Sequence, residues 1–267
     1  MESVRDEDCI VQPTTQHTRT VILLHGRGSN GTEFRDELFE SVGSDDRSLP
    51  ERLPHVRWVF PTARPRLSTV FQEIMHEWFD IYSLSDPEAR QDLQIPGLVE
   101  SICQIRDILD RELKLVSQMD LFIGGISQGC AVAIHVLLSL NLSLAGFVAV
   151  SGWLPFASSL ERAAEQASSD NPDKGLARFY TGMFPGLEGG KSLQLGTSVA
   201  NSQVYTTPAL ICHGVDDDIV DVKLGRTLRD VLVKMGLTVT WREDDDCGHW
   251  IKEPEAVDGL VHFLSSN

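Results

Sequence analysis

The chain has 267 residues, of which 42% are hydrophobic and 23% are charged. These values are typical of a soluble globular protein and exclude a disordered or fibrous chain, and the length fits one sizeable domain or two small ones. Asp and Glu outnumber Lys and Arg by 39 to 23, which gives a formal net charge of −16. Because the average field of such a chain repels phosphate backbones and anionic membrane surfaces, we expect no nucleic-acid partner.

Cysteine usage and the amino-terminal sequence bear on the compartment. The five cysteines are odd in number, scattered and without CxxC spacing, so we expect neither a disulfide framework nor a metal site. Such usage is typical of a reducing compartment. Residues 1–16 are polar and unpatterned, which predicts a tail, and they contain no apolar signal region. We therefore expect a protein of the cytoplasm that can also enter the nucleus.

The chain then alternates between short apolar runs and amphipathic stretches. Six apolar runs bounded by Gly or Pro predict buried strands, and they begin near residues 20, 56, 121, 146, 208 and 237. Residues 98–116 carry one apolar stripe, 222–236 repeat the pattern up to a glycine, and Pro254 suits the first turn of a last helix. This order predicts an α/β domain over residues 17–267, with a mainly parallel central sheet and helices on both faces. Its ligand site should lie beyond the carboxyl ends of the strands.

Two long segments need separate interpretation. Residues 131–156 are apolar over a length that could span a membrane, but His, Asn, Ser and Gly interrupt them. We predict a buried helix, a turn and a buried strand there, and no stable membrane insertion. Residues 157–205 are rich in Ser and Gly, and they are long for a connection within a compact domain. They are either a lid over the site or a partly disordered insertion.

The sequence GISQG, residues 125–129, stands between the apolar run LFIG and the helical pattern CAVAIHVLL. It matches GxSxG, the sharp turn between strand and helix that exposes a serine hydroxyl, and Gly125 and Gly129 keep that turn from clashing. In this context we predict that Ser127 is a nucleophile. The alternative is an inert turn.

A serine hydroxyl needs a histidine to take its proton and an acid to hold the tautomer of that histidine. In this architecture the acid and then the histidine follow the serine along the chain. Four histidines follow it, His135, His213, His249 and His262. We predict that His249 is the base, because it falls on a loop between the last strand and the last helix, where an imidazole can reach the serine. The candidate acids are Asp216, Asp217, Asp218 and Asp221, and spacing does not decide among them.

The oxyanion formed in acyl transfer needs backbone N–H donors. Gln128, the residue after the nucleophile, supplies one, and the glycine-rich loop LLHGRGSNG supplies a second at Arg27. A phosphate cradle is the other use of a glycine-rich loop. The sequence matches neither GxxxxGKS/T nor GxGxxG, which argues against nucleotide binding.

Six segments, LLHGRGSNG, EWFDIYSLS, GGISQGCAVAI, GFVAVSGWLP, HGVDDDIV and GHW, follow one another in this order. As a set they resemble the acyl-protein thioesterase family, also called the phospholipase/carboxylesterase family, of α/β-hydrolases. The resemblance covers residues 19–156 and 206–265. It implies the α/β-hydrolase fold and hydrolysis of an acyl thioester or oxyester through an acyl-serine intermediate, with no metal or organic cofactor.

The resemblance also implies roles for particular residues. The family pattern HGxxDxxV falls on residues 213–220 and selects Asp217 as the acid. It likewise implies Ser127 as nucleophile, His249 as base, and the amides of Arg27 and Gln128 as oxyanion donors.

Four apolar residues are candidates for the wall of an acyl channel, by the same resemblance: Trp78, Phe79, Trp153 and Leu154. The alternative for the WFD segment, residues 78–80, is an aromatic group packed at a strand end beside a capping Asp. The chain departs from the family in two places that bear on substrate. Family members usually carry an apolar residue at the position of Arg27, and the family connection is shorter than 157–205.

Three functions follow from these observations. The leading one is hydrolysis of acyl thioesters on acylated proteins. The second is a carboxylesterase or lysophospholipase that acts on small or medium acyl esters with the same residues. The third is a non-catalytic α/β-hydrolase used as a binding module, which predicts a damaged triad. The sequence makes no prediction of the oligomeric state.

Overall fold

The structure is a computed structural model that describes residues 8–140, 142–166, 172–185, 187 and 204–266. Within these residues the strands and the helices longer than three residues are, in chain order, β1 (Cys9–Val11), β2 (Arg19–Leu24), α1 (Gly31–Glu40), α2 (Leu49–Arg52), β3 (Val56–Phe60), β4 (Pro65–Leu67), β5 (Ile74–His76), α3 (Gln91–Glu112), β6 (Leu121–Ile126), α4 (Gln128–Ser139), β7 (Gly146–Val150), α5 (Ala157–Gln166), α6 (Pro172–Met183), β8 (Ala209–Gly214), α7 (Val222–Lys234), β9 (Val239–Asp244) and α8 (Glu255–Ser266).

The main sheet has the strand order β1-β3-β2-β6-β7-β8-β9. All neighbouring pairs are parallel except β1 with β3, which is antiparallel. The six strands predicted from apolar runs are therefore confirmed as the parallel part of the sheet. The predicted fold class, an α/β-hydrolase with a mainly parallel sheet, is confirmed as well.

Helices cover both faces of the sheet. The side chains of the central strands belong alternately to two apolar cores, one on each face. Ile22 and Leu24 of β2 belong to one core with α3, α4 and α7, whereas Val21 and Leu23 belong to the other with α1 and α8. Burial on both faces explains why these strands are continuously apolar rather than alternating. The run 131–156 is divided between α4 and β7 as predicted. No helix in the described ranges is both long and apolar enough to cross a membrane.

The beginning of the chain differs from the expectation of a polar tail over residues 1–16. Residues 1–7 lie outside the described residues, but Cys9–Val11 form the edge strand β1, with Ile10 opposite Val59. The apolar triplet CIV is enough to extend the sheet antiparallel to β3. It is too short to stand out in a polar segment.

The predicted insertion over 157–205 is described only in part. Helices α5 and α6 pack onto the core through Leu160, Leu176 and Phe179. Lys234 of α7 forms an ion pair with Glu161 at 2.9 Å. Residues 167–171, 186 and 188–203 lie outside the described residues, and both alternatives for 157–205, a lid over the site or a partly disordered insertion, stay predictions.

The turn between β6 and α4 has the sharp geometry predicted from GxSxG. Ser127 adopts φ 54° and ψ −123°, a left-handed φ that is uncommon for a residue with a side chain. Its amide donates to the carbonyl of Val150 at 2.9 Å. A Cβ on Gly129 would lie 2.2 Å from the carbonyl oxygen of Leu24, and one on Gly125 would lie 2.6 Å from the same oxygen. The two glycines are thus required by the close approach of β2.

We expect Gly129→Ala to lower the free energy of unfolding by about 3 kcal/mol, because the added methyl group meets backbone atoms that cannot rotate away. The matched control is Gly182→Ala in α6, where a Cβ meets nothing within 4 Å. That variant should be neutral or stabilise by about 0.5 kcal/mol, since Ala favours helix over Gly. Urea unfolding of both variants checks this. Equal stabilities would contradict the argument.

Candidate active site

Four loops that follow parallel strands carry the predicted site residues to one edge of the sheet. Arg27 follows β2, Ser127 follows β6, Asp217 follows β8 and His249 follows β9. Three of them, Arg27, Ser127 and His249, line one cavity of about 260 Å³ together with Gln128. This is the edge at which parallel α/β sheets bind ligands.

The carboxylate of Asp217 holds the imidazole of His249. Nδ1 of His249 lies 2.8 Å from Oδ2 of Asp217. Since a carboxylate accepts, Nδ1 carries the hydrogen and Nε2 is the nitrogen left to accept a proton. Oδ1 of Asp217 accepts from the amides of Ile219 at 2.9 Å and Val220 at 2.8 Å. These two amides hold the carboxylate of Asp217 in place independently of its contact with His249.

A second histidine supports the same carboxylate. Nε2 of His213 lies 2.8 Å from the carbonyl oxygen of Val220 and 3.3 Å from Oδ2 of Asp217. Because a carbonyl only accepts, Nε2 of His213 must be the protonated nitrogen. Burial by itself would raise the pKa of Asp217, but the hydrogen bonds from His213, His249 and Val220 outweigh it and hold that pKa well below its usual range. Asp217 therefore stays ionised at neutral pH.

The structure distinguishes the four acidic residues that spacing left open. Asp217 is buried, whereas Asp216 and Asp218 are exposed. Oδ1 of Asp216 accepts from the amide of Gly248 at 3.2 Å, so it ties down the loop that carries His249. Asp221 caps α7 by accepting from the amide of Lys223 at 2.9 Å. Of these four, Asp217 is the one whose carboxylate contacts the ring of His249.

The other three histidines after Ser127 lie away from the cavity. His135 is buried in α4, where its ring contacts the hydroxyl of Tyr180 at 2.9 Å and the carbonyl of Pro155 at 3.0 Å. His262 is exposed on α8. His213 is buried at the end of β8, behind Asp217.

The two predicted amide donors are both at the cavity. Gln128 is the first residue of α4, where the amide has no acceptor within the helix. Arg27 lies in the loop after β2, and the orientation of its amide is set by His25. Nδ1 of His25 donates to the carbonyl of Gly26 at 2.6 Å, and Nε2 accepts from the amide of Ala63 at 3.0 Å. Since the peptide group is planar and trans, fixing the carbonyl of Gly26 also fixes the N–H of Arg27.

His25 was not singled out by the sequence analysis. Burial lowers its pKa to about 4, although its hydrogen bond to Gly26 opposes that shift. The ring is therefore neutral at physiological pH, in the tautomer that the two hydrogen bonds require. The signal in the sequence was the dipeptide HG at the end of the first strand, directly before the glycine-rich loop.

Arg27, one of the residues that line the cavity, carries a charged side chain. Its guanidinium lies 4.7 Å from the ring centre of Phe71, at the exposed tip of the β4–β5 hairpin. Burial lowers the pKa of Arg27, and the charges of Glu77 and Asp80 oppose this. Burial also raises the pKa of Glu77 to about 7. A cation thus stands where the family resemblance implies an apolar side chain.

The four candidate channel residues separate into two groups. Trp153 lines the cavity, and its indole packs edge-on against Phe79. Trp78, Phe79 and Leu154 are buried but are not part of the lining. The apolar lining also includes side chains that the sequence analysis did not single out, among them Ile81, Leu84, Ile126, Ile219 and Trp250.

Comparisons with known proteins point to one family. Residues 5–173 match the family model described as phospholipase/carboxylesterase. A Schizosaccharomyces pombe protein named acyl-protein thioesterase 1 is 34% identical over 165 residues, which cover 61% of this chain and 68% of that protein. A Yarrowia lipolytica protein of the same name is 26% identical over 255 residues, which cover 94% of this chain and 92% of that protein. The crystal structure of Zea mays acyl-protein thioesterase 2 matches with a TM-score of 0.71 at 25% identity, and the match covers 97% of this chain and 98% of that one.

The resemblance inferred from the six motifs is confirmed by these matches. The order of the strands, the turn at Ser127 and the pairing of Asp217 with His249 lead to the same assignment. This chain belongs to the phospholipase/carboxylesterase family of α/β-hydrolases.

Proposed function

We propose that the protein is a serine hydrolase that cleaves acyl thioesters or esters through an acyl-serine intermediate, with Ser127, His249 and Asp217 as its triad. The observation that carries the proposal is the 2.8 Å contact between Nδ1 of His249 and Oδ2 of Asp217 beside the cavity that Ser127 lines. This contact leaves Nε2 as the imidazole nitrogen that can act as the base.

In the first half of the reaction, Oγ of Ser127 attacks the acyl carbonyl carbon while Nε2 of His249 takes the hydroxyl proton. The carbonyl oxygen becomes an oxyanion that accepts from the amides of Arg27 and Gln128. The C–S or C–O bond of the substrate then breaks, and the imidazolium returns its proton to the leaving thiolate or alkoxide. In the second half, water repeats these steps on the acyl-serine and releases the carboxylic acid.

The apolar part of the cavity supports an acyl group as the recognised part of the substrate. Ile81, Leu84 and Trp153 offer aliphatic and aromatic surface next to the nucleophile. The names of the related yeast and maize proteins support an acylated protein as the leading substrate. We propose the cytoplasm as its compartment, on the basis of unpaired cysteines throughout the described residues.

One observation favours the second candidate, an esterase for small or medium acyl groups. Arg27 lines the same cavity as Ser127, and a charged side chain next to a long alkyl chain would have to be desolvated. A short or polar acyl group avoids that cost. The two candidates share the triad and differ in the length of acyl chain that they accept.

Activity assays on Ser127→Ala test the proposal. Wild-type protein should react with a fluorophosphonate probe, and it should hydrolyse a palmitoylated peptide faster than a short-chain nitrophenyl ester if thioester cleavage is its role. Ser127→Ala should lose both the label and the hydrolysis, because it removes the attacking oxygen. A wild type that takes no label, or a label that persists in Ser127→Ala, would overturn the enzyme assignment. Faster hydrolysis of the short ester would favour the second candidate.

We expect Asp217→Asn to lower kcat by on the order of 1,000-fold or more while the fold is kept, because an amide that donates to Nδ1 favours the wrong tautomer of His249. Steady-state kinetics together with circular dichroism measure this.

The neighbouring carboxylates provide matched controls for that substitution. Asp218→Asn should leave kcat unchanged, since this side chain is exposed. Asp216→Asn should have a small effect, because an amide oxygen can still accept from the backbone at Gly248. If either control lost more activity than Asp217→Asn, a different acid would have to be assigned.

A further inference from the structure

The segment of residues 76–79 begins at the last residue of β5 and contacts both of the loops that carry the amide donors. It approaches the loop after β2 from one side and the first turn of α4 from the other. Trp78 and Phe79, its aromatic members, are fully buried. Both are candidates for the wall of an acyl channel by the family resemblance, yet neither lines the cavity.

On the first side, two hydrogen bonds hold the loop immediately before and after Arg27. The indole Nε1 of Trp78 donates to the carbonyl of His25 at 2.8 Å. The amide of Gly28 donates to the carbonyl of His76 at 2.8 Å. Arg27 therefore lies between two points that are tied to the same short segment.

On the second side, both the oxygen and the nitrogen of the Gln128 carboxamide form hydrogen bonds to the same segment. Oε1 accepts from the amide of Trp78 at 2.9 Å, and Nε2 donates to the carbonyl of Phe79 at 2.7 Å. The side chain is buried, with 1% of the residue exposed. The residue that supplies one amide donor is thus fixed to the segment that positions the other.

This double attachment matters because an oxyanion hole works only when both donors face one oxygen atom, each at about 2.7–3.1 Å from it. We propose that residues 76–79 are an oxyanion brace, in which the indole N–H of Trp78 and the carboxamide of Gln128 are positioning groups that set the separation of the Arg27 and Gln128 amides. The inference rests on the proposed function, since it assigns a task within the same site.

Packing alone does not account for the hydrogen bond of Trp78. Trp58 and Trp153 are buried to a similar degree, and within the described part of the chain their indole nitrogens have no hydrogen-bond partner. This protein therefore keeps buried indoles in place without using the N–H group. Trp78 is different, since its N–H ends on the carbonyl two residues before Arg27.

The test compares Trp78→Phe with Trp58→Phe, because both remove a buried indole and only the first removes a hydrogen bond to the oxyanion loop. For Trp78→Phe we expect kcat to fall by about tenfold with KM unchanged, as for the loss of one hydrogen bond that matters in the transition state. Affinity for a trifluoromethyl ketone, whose adduct carries the oxyanion, should fall by the same factor. Trp58→Phe should change neither quantity.

Two further variants test the two positioning groups one at a time. Replacing Trp78 by 3-benzothienylalanine keeps the two-ring shape and lacks the N–H, so it should reproduce the tenfold loss in kcat. Gln128→Met keeps the backbone amide and removes the carboxamide, and it should lower kcat and inhibitor affinity together.

The brace is overturned if the benzothienylalanine protein has the kcat and inhibitor affinity of wild type, or if KM rises while kcat is unchanged. Failure of the proposed function would look different. In that case wild type itself would neither hydrolyse acyl esters nor take a fluorophosphonate label at Ser127. The positioning role of residues 76–79 would then be overturned together with the proposed function.

Discussion

The hydrogen bond between His249 and Asp217 is the contact on which the rest of the proposed chemistry depends. An imidazole on a loop between β9 and α8 has many orientations open to it, and the buried carboxylate selects one of them and one tautomer. Asp217 can do this because two backbone amides and His213 also donate to it. These donors keep it ionised in a buried position, where an unpaired carboxylate would take up a proton.

A second constraint brings together the loops that carry Ser127, Arg27 and Gln128. Strands β2 and β6 are parallel neighbours, with Leu24 opposite Gly125, so the loops that follow them leave the sheet side by side. The approach is so close that α4 begins against the carbonyl groups of Leu24 and His25, and Gly129 is the residue that allows it. The loops that carry Arg27 and Gln128 are neighbours as a result, and residues 76–79 form hydrogen bonds to both of them.

Local patterns predicted those parts of the molecule that depend on local sequence. The six parallel strands and the turn at Ser127 could be predicted from the sequence, because continuous apolar runs and glycines at this spacing are compatible with few types of backbone structure. The choice of Asp217 needed the family resemblance, since three adjacent carboxylates look alike until burial separates them. The roles of Trp78 and Gln128 depend on hydrogen bonds between residues about 50 positions apart, and no local pattern carries that information. The edge strand β1 was missed because three apolar residues are too few to give a period.

The central claim is that Ser127, His249 and two amide groups converge on one carbonyl carbon. Its most direct test is a crystal structure of the protein after inactivation by a fluorophosphonate. We expect phosphorus bonded to Oγ of Ser127, with the phosphoryl oxygen about 2.7–3.1 Å from the backbone nitrogens of both Arg27 and Gln128. An adduct on any other residue, or a phosphoryl oxygen that neither amide reaches, would contradict it.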